Sequence, residues 1–121
     1  MWNVEVTDEF AAWYDSLTPE QQDAVAGRVE LLEQKGPALT RPTVGEIKSS
    51  DYDPQMKELR CSKDGVLRVL FIFDPRRTAV LLLGGNKQGQ WEEWYAGAIP
   101  QADKLYVAYL AELRAEGLLK P

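Results

Sequence analysis

Between residues 56 and 83 the chain runs through three short apolar segments separated by two turn signals, and any fold must be built around them. Met56 to Cys61 is the first segment, Val66 to Phe73 the second and Thr78 to Leu83 the third. Ser62-Lys63-Asp64-Gly65 and Asp74-Pro75-Arg76-Arg77 stand between them. Runs rich in Val, Leu, Ile and Phe, cut by turn residues, predict a meander of antiparallel strands.

The flanks read differently. Trp2-Asn3-Val4-Glu5-Val6 alternates apolar and polar residues, the pattern of a half-buried strand. Thr7 or Asp8 caps a short helix that carries Phe10, Tyr14 and Leu17 on one face. Thr18-Pro19-Glu20-Gln21 is a helix start with a capping box, and the helix runs to about Lys35 with Val25, Val29 and Leu32 inward. Gly36-Pro37 stops it. Residues 37–55 read as a long connecting loop, and residues 84–97 as a glycine-bearing loop that contains Trp91, Trp94 and Tyr95. A last helix is expected over Gln101 to Glu116, with Leu105, Tyr106, Tyr109, Leu110 and Leu113 as its stripe. The expected class is α+β, with the helices on one face of an antiparallel sheet, in one domain over residues 1–121.

Composition removes several function classes. Apolar residues are 45% and charged residues 27% of the 121, ordinary for a globular chain. No apolar run approaches the roughly 18 residues of a membrane span. Cys61 is the only cysteine, so a disulfide framework and a Cys-based zinc site are excluded. With no histidine there is no Ser-His-Asp triad and no histidine acid–base pair. No secretory leader pattern opens the chain, and the expected compartment is the cytoplasm. The net charge of −5 is unevenly spread, at −6 over residues 1–40, +3 over residues 41–88 and −2 over residues 89–121. Only the middle segment attracts an anionic partner.

The hairpin register sharpens this. If the 62–65 turn sets Arg60 opposite Arg68, then Leu59 faces Val69, and Leu67, Phe71 and Phe73 share that apolar side. A slip of one residue would place Arg60 among the phenylalanines, which is costly. Two facing arginines repel unless an anion lies between them. Glu58 on the same face is one such anion, and a bound phosphate is another. Lys57 begins the same strand, and Lys87 follows the third in a Gly-Gly-Asn-Lys loop that lacks the ending of a P-loop. Trp91, Trp94 and Tyr95 are either core, a protein-binding surface or a platform for bases. Asp51 and Asp53, read as a metal pair, lack matching ligands, so a turn or capping role is expected.

Met56-Lys57-Glu58-Leu59-Arg60, Leu67 to Pro75 and Leu81 to Lys87, followed by Ile99-Pro100-Gln101-Ala102, together resemble the HigB-like branch of the RelE/ParE toxin superfamily. The resemblance spans nearly the whole chain. It implies an N-terminal strand and helical hairpin packed on an antiparallel sheet, with a C-terminal helix. It implies the toxin of a bacterial type II toxin–antitoxin pair, and a metal-free, ribosome-dependent endoribonuclease that cleaves mRNA. In that chemistry a ribose 2′-hydroxyl attacks its own phosphate. Carried over by position, Arg60 and Arg68 clamp the phosphate, while Lys57 and Lys87 move protons or stabilise charge. Arg41, Lys48, Arg76 and Arg77 become candidate RNA contacts. No cofactor and no metal are implied. The implied partners are mRNA on the ribosome and a cognate antitoxin, expected to be a helix-turn-helix protein. A toxin of the same fold directed at a protein such as DNA gyrase, or a non-catalytic binding module, is the alternative.

Overall fold

The computed structural model describes residues 1–119. In chain order the elements are β1 (Val4–Val6), α1 (Asp8–Asp15), α2 (Pro19–Lys35), a 3-10 turn (Gly36–Ala38), β2 (Val44–Glu46), β3 (Lys57–Ser62), β4 (Val66–Phe73), β5 (Ala79–Asn86) and α3 (Trp91–Ala115). The strands form one five-stranded sheet in the order β1-β5-β4-β3-β2. β1 lies parallel to β5, and every other neighbouring pair is antiparallel.

The β3–β4 register is the expected one, with Arg60 opposite Arg68 and Leu59 opposite Val69. Alternation along the strands then builds two cores. Leu59, Leu67, Val69 and Phe71 face α1 and α2, where Phe10, Val25 and Leu32 meet them. Leu70, Ile72, Val80 and Leu82 face α3, where Ala98, Ile99, Ala102 and Tyr106 meet them. The expectation of helices on a single face is therefore corrected. β4 is apolar on both sides, and one helical layer would leave half of it in water.

Two loops also acquire structure. Within residues 37–55, β2 adds to the free edge of β3. Ser50 Oγ and the Asp51 amide donate to the two carboxylate oxygens of buried Asp103 on α3, which pins the rest of that segment. Asp51 thus takes part in a turn, and no cluster of metal-ligating side chains occurs among the described residues. Within residues 84–97, β5 continues to Asn86 and α3 starts at Trp91, ten residues before the expected start at Gln101. Pro100 lies inside α3. Its missing N–H leaves one backbone bond unmade, a cost the burial of Ala98, Ile99 and Ala102 offsets.

The helix starts follow the sequence. Thr7 Oγ1 accepts from the Phe10 amide, and Thr18 and Gln21 form the reciprocal capping box. Thr7 Oγ1 also donates to the Leu82 carbonyl at 2.6 Å, joining the α1 cap to β5. Among the described residues no helix is long and apolar enough to cross a membrane.

Candidate active site

One irregularity in β5 builds the site. Leu70 pairs with Leu83, but the next residue, Phe71, pairs with Leu81. Leu82 is the extra residue of a β-bulge. Without the bulge, strict alternation from Val80 would send Gly84 and Asn86 to the α3 face and Lys87 to the opposite one. With it, Gly85 stands opposite Arg68 on the α3 face, and Lys87 follows two residues later on that same side.

Glu58, Arg60, Arg68, Lys87 and Tyr95 meet there. The Glu58 side chain is only 4% exposed, whereas that of Arg60 is 34% exposed and forms the open edge. Arg60 Nε bonds to Glu58 Oε2 at 3.1 Å. Arg68 Nε lies 3.6 Å from Glu58 Oε1, too far for a hydrogen bond. It is the one buried side-chain nitrogen or oxygen without a hydrogen-bond partner among the described residues. The Arg68 Nη1 donates to the Leu67 carbonyl. Tyr95 links the rest: its hydroxyl donates to Glu58 Oε1 at 2.6 Å and accepts from Lys87 Nζ at 2.7 Å. Lys87 is buried beneath aromatic rings, its Nζ 3.6 Å from the centroid of the Trp91 ring.

The glycines permit this closeness. A Cβ on Gly45 of β2 would overlap the Arg60 guanidinium, and a Cβ on Gly85 would overlap the Trp94 indole. The electrostatics follow from burial and charge. Burial pushes the Lys87 ammonium below its usual range, the Arg68 and Arg60 charges push the same way, and Glu58 opposes them. Burial and the bond to Glu58 raise the Tyr95 hydroxyl to about 12, so it remains a donor at neutral pH. Three cations surround one carboxylate, and the surplus positive charge suits a phosphate group.

Of the residues singled out from sequence, Arg60, Arg68 and Lys87 come together and Lys57 does not. Lys57 alternates with Glu58 along β3 and faces the other side. There it lines a cavity of about 560 Å³ with Arg41, Val44, Phe71 and Phe73. Arg76 lies at the opposite end of β4, bonded to Asp74, Glu5 and Tyr109. Arg77 stacks on Trp2, 4.9 Å from the ring centroid. Lys48 is exposed. From sequence Tyr95 is only a core, protein-binding or base-stacking candidate; its link between Glu58 and Lys87 is not foreseen, because its segment reads as a loop. The available signal was its spacing of four from Trp91, one helical turn. Glu58 was legible only as a partner for the arginines.

The family described as phage derived protein Gp49-like (DUF891) matches residues 12–107. HigB3 of Mycobacterium tuberculosis, a toxin candidate by name, is 42% identical over 105 residues, which cover 87% of this chain and 90% of that protein. The chain belongs to the Gp49-like family of HigB-type toxins. A second toxin candidate from the same organism, HigB2, is 39% identical over 113 residues, 92% of this chain. The match spans about half of HigB2, 55% of its length. In fold the chain resembles the free-state structure of a double arginine-to-alanine mutant of the Escherichia coli toxin RelE. The TM-score is 0.60 at 7% identity, over 83% of this chain and 96% of that one. The N-terminal strand and helical hairpin, the sheet and the C-terminal helix of this HigB-type chain are those the sequence resemblance implied.

Proposed function

We propose that this HigB-type toxin is an endoribonuclease that cleaves mRNA on the ribosome and is held inactive by a cognate helix-turn-helix antitoxin. The observation that carries the reading is the surplus of positive charge around Glu58, which Arg60 and Arg68 share as their one carboxylate, with Arg68 Nε making no hydrogen bond to it. A phosphodiester at this point has its non-bridging oxygens between Arg60 and Arg68. Both are fixed by β3–β4 pairing, so little reorganisation accompanies the charge that develops. The 2′-oxygen bonds to phosphorus as the bond from phosphorus to the 5′-oxygen breaks. Glu58 takes the proton of the 2′-hydroxyl. Lys87, whose ammonium loses its proton more readily than an exposed lysine, supplies one to the departing 5′-oxygen.

The test is induced expression in a bacterial host, wild type beside Arg68→Ala, with growth and mRNA 5′ ends read together. Growth arrest with new 5′ ends is expected for the wild type. The variant, shown to be folded by circular dichroism, should lose both, as the removal of one charge-stabilising donor costs on the order of 10²–10³ in rate. Arrest with intact messages would instead place the target on a protein, and a fully active Arg68→Ala would overturn the site.

A further inference from the structure

Of the four tryptophans, Trp2, Trp13 and Trp94 are partly buried and Trp91 alone is exposed, at 53%. One ring face is taken by the Lys87 ammonium, 3.6 Å from the centroid. About half of the residue stays open to solvent, and it is the first residue of α3, next to the Lys87 that joins Arg60 and Arg68. Glu92 and Glu93 share that first turn. Their carboxylates repel a phosphate backbone, so this rim is suited to an uncharged aromatic surface. A nucleobase is that surface, tethered through its sugar to the phosphate held by the arginines. A cation on the far face of an indole also fixes the ring in place, so little freedom is lost when a base stacks on it.

We propose that Trp91 is the platform on which a nucleobase flanking the scissile phosphate stacks, making it a specificity-determining residue for RNA. The inference rests on the ribonuclease reading given above. It predicts that cleavage responds to the presence and size of one particular base, with purines favoured for their larger stacking area.

The experiment uses ribosomes programmed with short synthetic mRNAs that keep every 2′-hydroxyl but carry a single abasic nucleotide on either side of the cut. Wild type, Trp91→Ala and Trp91→Phe are compared under single-turnover conditions. On the intact message Trp91→Ala should cleave roughly tenfold more slowly, with Trp91→Phe recovering much of the loss. With wild type, one of the two abasic messages should show a similar loss, and Trp91→Ala should add little to it. Equal losses for Trp91→Ala on intact and both abasic messages would overturn the proposal, since that is how mere shielding of Lys87 would behave. No effect of Trp91→Ala would overturn it as well. Absence of cleavage by the wild type would instead remove the ribonuclease reading itself, and the inference with it.

Discussion

Arginines occupy both ends of β4, in opposite electrostatic settings. At one end Arg60 and Arg68, with Lys87, share a single carboxylate, Glu58. At the other end Arg76 alone meets two, Asp74 and Glu5, and its Nη2 also bonds to the Tyr109 hydroxyl at 2.9 Å. The Asp74 carboxylate also accepts from the Thr78 and Arg76 amides, which closes the β4–β5 turn. The first end has charge left over for a ligand. The second has spent its cation on tying β1, the turn and α3 together. An arginine's presence in a basic segment therefore says little, and the ratio of cations to carboxylates within reach separates a site from a clasp.

The sharpest way to break this contrast is to exchange roles between the lysines. Lys87→Ala should reduce mRNA cleavage by on the order of a hundredfold, the scale of a proton-transfer group. Lys57→Ala, on the opposite face of the sheet, should stay within about threefold, a change well under 1 kcal/mol. A null effect of the first and a large one of the second, read on programmed ribosomes, would reverse the assignment.

Arg76→Ala should do the converse. Loss of its hydrogen bonds to Asp74 and Tyr109 should lower stability by about 1–3 kcal/mol in urea unfolding, with cleavage by the folded protein unchanged. A folded Arg76→Ala without activity would dissolve the distinction between the two ends.

Alkaline titration gives a smaller effect. Tyr95 and Tyr106 are both raised to about 12, each first by burial. In the unfolded chain a tyrosine ionises near 10. The folded state thus holds protons that the unfolded state releases between these values. The stabilisation is complete below pH ~10 and is lost as pH rises towards about 12. Tyrosinate absorbance should lag in the folded protein, and Tyr95→Phe should flatten the fall of stability across that window. An unchanged slope would mean that Tyr95 is not held in solution in its buried position against Glu58.

The smallest effect concerns Cys61, buried on β3 with its thiol pushed up by burial. A thiol-specific reagent at mild alkaline pH should label it only at the rate of unfolding. Fast labelling of the native protein would show that this face of the sheet is open.

Local rules made much of this molecule readable. The Thr18–Gln21 box needs only four residues, and it forms as read. The Arg60–Arg68 pairing needs only a short turn and an apolar alternation, because the wrong register would bury a guanidinium among phenylalanines. Residues 37–55 and 84–97 were harder. Their glycines and prolines signal loops, yet β2 exists because β3 offers a free edge, and α3 starts early because β4 and β5 present a second apolar face to cover. Both conditions lie far away in sequence.

By itself, then, the sequence determined the strand meander, the helix caps, the facing arginines and the absence of histidine chemistry, since each depends on neighbours in the chain or on composition. Only the tertiary structure decided that Lys87 joins the arginines while Lys57 does not, and that Tyr95 reaches Glu58. The Leu82 bulge changes which face every later residue of β5 presents, and its carbonyl is held by Thr7, 75 residues away in sequence. A side chain's face can be counted along a regular strand, but a bulge stabilised from a distant cap leaves no local mark by which to count it.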